Sequence, residues 1–593
     1  MKKKLLLSFV MITIAAVVYA ADFNHQWHHI IYGKTKSGNV PVSVIKTTDG
    51  NYVAFNAFGS NTLTGVNVYF DKQPLKDAAG NDITGCPYDG PTENSVNDNL
   101  LIQKMNPETG VVLWTVYSDK GTLYNNKSIY PTDDGGLVFV GDVRNLANKT
   151  ETTLFRIVGS DGQKKEVTYT PAGNSHTAVE GVMAKVDKDG KIEWAKLVAT
   201  TAHPTVKGKT YGGYAIYYKG LAVDSKGNIY VCGNYMSSVT FEKRDGTKET
   251  YTAKNTDAWD GSVQTSAGDP FIAKLDKDGF LLKFMTEDDS SVKFATFDNM
   301  VIKHDVLYVS GRLQGNGNAT IKFGNTTLQP NECHNLIYAS VKTDDLSLNY
   351  MKMLVAGKFD GKNYAVQNMN LQCYNGSLYM TGLITGSLAD DAGSAPFIAT
   401  TTKMREAMIV KADAQSGKRL AAGIDGKSIT SAYAVIETNN PNTVWVYGYD
   451  LFSKARLNKY TLSEGKLVKE NDEIVIVGAN MGMLGTPLID GNAFVSTARP
   501  RGSSGTILGV TDASTDFYGW GIVLTKHTCD DILADKDVPT GIQNVNVLKN
   551  KASHFDVFTL AGVCVKRAKS MDEAVDGLPS GLYIIGGKKV AIK

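Results

Sequence analysis

Two stretches carry the side chains best suited to recognition chemistry: KTYGGYAIYYKG at 209–220 and NTDAWDGSVQTSAGD at 255–269. Within them Tyr211, Tyr214, Tyr217, Tyr218 and Trp259 supply aromatic faces, and Asp257 and Asp260 supply carboxylate acceptors. Sugars and peptides are held in this way, stacked on amphipathic rings while their hydroxyls or amides find polar partners. The competing reading is that these rings only pack within strands and loops. His25, His28 and His29 in HQWHH offer imidazoles, but side chains alternate along a strand, so His25 is expected on a different face from His28 and no metal is expected. The DKDG and DSKG turns carry Asp and Gly as calcium loops do. They lack the downstream Glu and the full ligand ladder, and a hairpin turn accounts for them better. The chain has no HExxH, no GxSxG, no phosphate loop and no Rossmann glycine pattern at a strand-to-helix junction. With 60 acidic side chains, no glycosidase-type carboxylate pair can be singled out. No catalytic residue and no cofactor is therefore expected.

The elements that would position the aromatic patch repeat along the chain. DSKGNIYVCGNY at 224–235 reads as a turn followed by an alternating apolar strand, and its relatives are DGNYVAFNA, DDGGLVFVGDV, HDVLYVSGR, YNGSLYMTG, NPNTVWVYG and DGNAFVST. A second phrase follows each one: an apolar strand that mostly ends in Lys, a polar turn and another strand, as in LLIQKMNPETGVVLW, GVMAKVDKDGKIEW and FIAKLDKDGFLLKF. With one strand ahead of each first phrase, every repeat holds four, which is the pattern of a propeller whose blades bury both faces against their neighbours. The pair GLAVDSKGNIYVCGNY and DPFIAKLDKDG resembles the bacterial seven-bladed β-propeller repeat family, over roughly residues 40–530 and most sharply at 180–285. That resemblance implies an all-β fold with about seven blades across 22–530. WHHIIYG at 27–33 is expected to lend the last blade a strand and close the ring. Short turns would lie on one face. The long connections at 57–97, 142–178, 235–267 and 386–404 would gather on the other, which places the aromatic patch on a loop-bearing rim.

Composition bounds the setting. Among 593 residues, 58 Gly against 16 Pro suit many strands joined by tight turns. MKKKLLLSFVMITIAAVVYA has the basic start, apolar run and small residues of a signal peptide over 1–20, cleaved near Ala20, and no transmembrane segment is expected after cleavage. Losing Lys2, Lys3 and Lys4 leaves 59 basic against 60 acidic side chains, so nothing steers the mature chain to nucleic acid or anionic lipid. Six cysteines lack metal-like spacing, and Cys232 reads as a small core hydrophobe.

After a linker at 531–541, residues 542–593 read as five short strands: NVNVLKN, HFDVFTLAG, VCVKRAK, GLYIIGG and KKVAIK. FDVFTLAGVCVKR at 555–567 and LPSGLYIIGGKKVAIK at 578–593 resemble the C-terminal sorting domain of the type IX secretion system, a small β-sandwich-like module. The matching positions are Gly581, Tyr583, Gly586, Gly587, Lys588, Lys589 and Lys593. This resemblance implies the type IX secretion machinery as a partner and a secreted or outer-membrane cell-surface address; a small module that only caps or pairs with the propeller is the alternative. The expected function is a secreted or cell-surface propeller binding a glycan or protein. A propeller-fold polysaccharide lyase or glycosidase, or a structural surface protein, is the alternative.

Overall fold

The computed structural model describes residues 23–33, 37–38, 40–60, 67–84, 97–144, 153–169, 179–202, 205–206, 209–210, 216–254, 268–361, 366–400, 405–425, 429–450, 454–510, 519–535, 555–559, 564–568, 574, 576–579, 581–585 and 588–592. The leader expected at 1–20 and the strand expected at NVNVLKN lie outside the described residues. Contacts divide the chain into a body ending at Asp535 and a tail from Lys536.

The body is all-β. The repeat with the clearest phrases shows how it is built: Ile216–Val223, Ile229–Tyr235, Asp269–Leu275 and Leu281–Met285 form a consecutive antiparallel ladder. The DSKGN turn is closed by its own aspartate, since Asp224 Oδ1 accepts from the backbone N–H of Lys226 at 2.9 Å and of Asn228 at 2.8 Å. Gly227 sits at φ 80°, where a side chain would be strained. Asp276 closes the DKDG turn in the same way, accepting from Asp278 and Phe280 at 3.0 Å each. One oxygen of each carboxylate is thus committed within its turn, while the second accepts from Tyr230 in Asp224 and from Arg244 in Asp276.

The same ladder, here lettered A to G, spans 40–120 (A), 122–197 (B), 216–285 (C), 294–357 (D), 367–425 (E) and 431–484 (F). In repeat G, Leu488–Asp490, Ala493–Ile507 and Ile522–Thr528 are completed by the N-terminal strand Asn24–Gly33, which pairs antiparallel with Ile522–Thr528. Two sequence-distant ends thus share one sheet, and the outer edge of Ile522–Thr528 is covered.

The hydrophobic cores lie between repeats. Val53, Phe55 and Ile102 of A pack with Phe139 and Val182 of B. Val140 and Met183 of B pack with Tyr218 and Phe271 of C. Tyr230 and Ile272 of C pack with Phe297 and Val309 of D. The series continues through D with E, E with F and F with G. It returns to the start where Ile31, Val495 and Leu524 of G pack with Val44, Tyr52 and Leu101 of A. Each sheet buries both faces, which is why its strands read as near-continuous apolar runs.

Polar ties join the repeats at the short-turn ends, and the lysine of the second phrase makes several of them. Lys104, with its side chain only 2% exposed, donates to Asp49 Oδ2 at 2.6 Å in its own repeat and to the carbonyls of Gly135 at 3.2 Å and Lys188 at 3.0 Å in repeat B. Lys274 reaches the Thr343 carbonyl of D at 2.7 Å, and Lys526 of G reaches the Pro107 carbonyl of A at 2.7 Å. Tyr338 of D donates to the Gly417 carbonyl of E at 2.8 Å.

Residues 531–535, expected to begin the linker, belong to the body. Ile532 is buried, the backbone N–H of Leu533 donates to the Glu437 carbonyl at 2.9 Å, and Asp535 pairs with Lys303 at 2.6 Å. The segment is polar enough to read as a linker, but its polar groups satisfy strand ends of D, E and F. The tail's described residues form one four-stranded sheet ordered Cys564–Ala568, Phe555–Thr559, Gly581–Ile585 and Lys588–Ile592, around Val557, Ala568, Tyr583 and Ile585.

Candidate functional site

Of the expected aromatic patch, Tyr211, Tyr214, Asp257, Trp259 and Asp260 lie outside the described residues. Tyr217 and Tyr218 are consecutive on Ile216–Val223 and point to opposite faces. Tyr218 has no exposed surface, sits over Gly181 and meets Phe271 edge-on at 5.9 Å between ring centres. It is a core ring and offers no face to a ligand. Tyr217 is half-buried, with Lys219 Nζ 5.6 Å from its ring centre. In the tail, Tyr583 is buried and donates to the Pro579 carbonyl at 3.1 Å, while the backbones of Gly581, Lys588 and Lys589 lie in strands. Gly586, Gly587 and Lys593 lie outside the described residues.

The histidines depart from simple alternation. The register steps from His25 opposite His527 to Trp27 opposite Lys526, so Gln26 is an extra, bulged residue. The bulge returns His25 and His28 to one side, with His25 Nε2 and His28 Nδ1 3.1 Å apart, and His25 meets His527 at 5.6 Å between ring centres. Among the described residues no group of three or more His, Cys, Asp or Glu side chains is arranged to hold a metal ion.

Two buried ionisable clusters adjoin the strand Ile216–Val223. Glu180, opposite Val143 in the ladder, is one position out of register with Asp142; burial pushes its carboxyl up to about 8, Asp142 adding to the effect and a hydrogen bond from Thr201 opposing it. Asp298 sits between Lys219 at 2.7 Å and Arg312 at 2.6 Å; burial would raise its pKa, but the two cations outweigh that and hold it at about 2. With Asp142 and Tyr218 at 0% exposure and Glu180 at 5%, the first cluster has no surface on which to meet a substrate.

A more open site lies at the junction of A and B. Its floor is the fourth strand of A, Val112–Lys120, where Trp114 faces Lys104 across the ladder. The indole N–H donates to the Lys188 carbonyl at 2.9 Å and the ring abuts Gly190, where an added Cβ would come within 2.8 Å of it, so the half-buried indole is fixed in place. Two insertions raise the walls. On one side, Leu75 to Ala78 belong to the segment 67–84, whose strand Val68–Phe70 is paired to the N-terminal strand. On the other, Gly159 and Ser160 turn between Thr153–Val158 and Lys164–Tyr169, and Thr153–Val158 extends the sheet of A beyond Val112–Lys120. The cleft encloses about 740 Å³ and also touches Tyr117, Asn51 and Asp189. The equivalent crevice between B and C holds about 210 Å³.

Sequence reasoning passed over this site. Its one signal is a tryptophan at the same place in successive second phrases, GVVLW and GKIEW, which marks Trp114 and Trp194.

Residues 193–234 match the family described as beta-propeller repeat, SBBP. No curated protein matches the chain. Among solved structures, a chain from Bacteroides uniformis described as a candidate 6-phosphogluconolactonase is 14% identical, with 63% of this chain and 92% of that one covered at a TM-score of 0.26. A protein of unknown function from Dyadobacter fermentans is 10% identical over 70% of this chain and 99% of its own, at a TM-score of 0.32. At such scores these likenesses carry no conclusion about activity. What this chain shares with known proteins is an all-β architecture containing a β-propeller repeat.

Proposed function

We propose that the chain is a seven-bladed β-propeller of the cell exterior that binds a glycan or protein ligand, exported by its leader and carried across the outer membrane by a sorting domain at 542–593. Repeats A to G, each sharing a core with the next and G sharing one with A, support the blade count. The sorting reading rests on FDVFTLAGVCVKR and LPSGLYIIGGKKVAIK, and the small sheet around Tyr583 is consistent with a compact module.

The observation that carries the binding reading is the A–B cleft: an aromatic floor held by a hydrogen bond, polar walls, and a volume within the range of about 300–1,000 Å³ usual for ligand sites. The test is a glycan and peptide array probed with the mature full-length chain, followed by turnover assays on every hit. Saturable binding without turnover is expected. Turnover of a bound saccharide would favour the lyase or glycosidase, and no binding across both arrays would favour a structural surface protein. For the address, a chain lacking 542–593 is expected to stay in the periplasm of its native host; arrival at the surface at normal levels would sink the sorting reading.

A further inference from the structure

We propose that the A–B cleft takes a neutral saccharide, one pyranose ring stacked on Trp114; this rests on the binding reading above. Three features of the cleft point to that class.

The first is the floor. Trp114 is pinned at its indole N–H by the Lys188 carbonyl and along its ring by Gly190, with Lys104 Nζ 5.9 Å from the ring centre, so the half-buried ring lines the cleft with no rotamer to freeze on binding. Sugars bring a patch of C–H bonds to such a face and keep their hydroxyls for the walls.

The second is charge. Lys76, Lys104 and Lys188 line the cleft beside Asp49, Asp77 and Asp189. Each of these cations already has a carboxylate partner: Lys76 pairs with Asp82, Lys104 with Asp49 at 2.6 Å and Lys188 with Asp189 at 2.9 Å. With Asp82 counted, four carboxylates stand against these three ammoniums, so a uronate, sulfate or phosphate meets no uncompensated cation, whereas a neutral ligand meets no repulsion.

The third is the lining of the walls. Asn51 offers an amide that donates and accepts; Ser160, whose hydroxyl donates to the Asp189 carbonyl at 2.6 Å, offers an acceptor, as do Asp77 and Asp189. Asp77 Oδ1 is engaged by the N–H groups of Ala79 and Asn81, which holds its second oxygen at the rim, where Asn81 Nδ2 lies 3.2 Å away. This mixture suits hydroxyls, which both give and take hydrogen bonds. An extended peptide would instead ask for a sheet edge, and that edge is already occupied over Tyr117 to Lys120 by Arg156 to Val158.

The experiment is calorimetric titration of the mature full-length chain with neutral gluco-, manno-, galacto- and xylo-oligosaccharides, and separately with uronate and sulfated oligosaccharides. Three variants accompany it: Trp114→Ala, Trp114→Phe and Ala78→Trp. Ala78 lies on an exposed turn at the cleft wall, so Ala78→Trp fills the mouth without disturbing the core and controls for any folding defect of Trp114→Ala. Removing the stacking face is expected to weaken binding of a neutral oligosaccharide about tenfold or more, with Trp114→Phe recovering most of it. Ala78→Trp is expected to abolish binding.

Three results would overturn the proposal, and they are distinguishable. Tighter binding of acidic oligosaccharides, lost in Trp114→Ala and Ala78→Trp, means that the site is right and the class wrong. Neutral saccharide binding unchanged in both variants means that the chain binds glycans elsewhere. No binding of any saccharide, with peptides bound on the array, removes the saccharide class and leaves the broader binding reading standing.

Discussion

Replacing Lys104 by Met tests the ties between repeats. Methionine keeps most of the buried stem and deletes the ammonium, with its hydrogen bonds to Asp49, Gly135 and Lys188. Hydrogen bonds to a charged group contribute about 1.5–3 kcal/mol each, and against them stands the several kcal/mol recovered when an ammonium no longer has to be desolvated. Asp49 is 34% exposed and can rehydrate, so its half of the pair is discounted for screening. The two carbonyls of repeat B dominate, and the expected net loss is about 2–4 kcal/mol. Chemical denaturation followed by tryptophan fluorescence measures it.

A pH signature accompanies the loss. Burial works to raise the pKa of Asp49, but Lys104, Thr47 and the Asn51 backbone bring it below its ordinary 3.8. That contribution is present above pH 3.8 and lost as pH falls through the depressed value, so Lys104→Met, which already lacks it at neutral pH, should lose less stability on acidification below pH 3.8 than the native chain. A Lys104→Met variant as stable as the native chain at neutral pH, with the same acid limb, would refute the idea that these lysines tie one repeat to the next.

Other outcomes follow from the buried groups. Glu180, with its pKa raised to about 8 from 4.5, stabilises fully below pH 4.5 and progressively less as pH rises through 8. At about 1.4 kcal/mol per pH unit that is about 3 kcal/mol lost by pH 7, so Glu180→Gln should flatten the stability profile between pH 5 and 8; an unchanged slope would contradict it. His527 has no exposed surface, its Nε2 lies 3.2 Å from the Leu508 carbonyl, and burial, with His25 and His28 beside it, lowers its pKa to about 4 from 6.5. The unfolded chain protonates first, so stability present above pH 6.5 should fall by about 3 kcal/mol as pH drops to 4, and His527→Asn should remove that limb. Asp535→Ala leaves the partly buried Lys303 ammonium without its carboxylate and should cost about 1–3 kcal/mol, read by the same denaturation; no change would mean that 531–535 is not held on the body.

The strands and their grouping were legible because short apolar runs and the Asp-x-x-Gly turns that bound them are written locally, and DSKGN closes on its own aspartate. HQWHHIIYG could be recognised as a strand without a partner in its own neighbourhood, and its pairing with Ile522–Thr528 supplies that partner. The histidine geometry was not legible, since one bulged residue, Gln26, reverses which side chains share a face and leaves no trace in the alternation. The cleft was hidden for a different reason. Trp114 is an ordinary strand residue until the insertions at 67–84 and 153–169 are folded beside it, and their placement depends on pairings with Asn24–Gly33 and Val112–Lys120 that no local pattern encodes.

Ring closure is the premise on which the shared cores, the ties and the cleft all rest, and native-state hydrogen exchange reads it directly. The amides of 27–33 should exchange as slowly as those of 522–528, through the same global opening, because the two strands form one ladder. If the amides of 27–33 exchange as a free segment while 522–528 remain protected, the N-terminal strand does not complete repeat G and the ring is open.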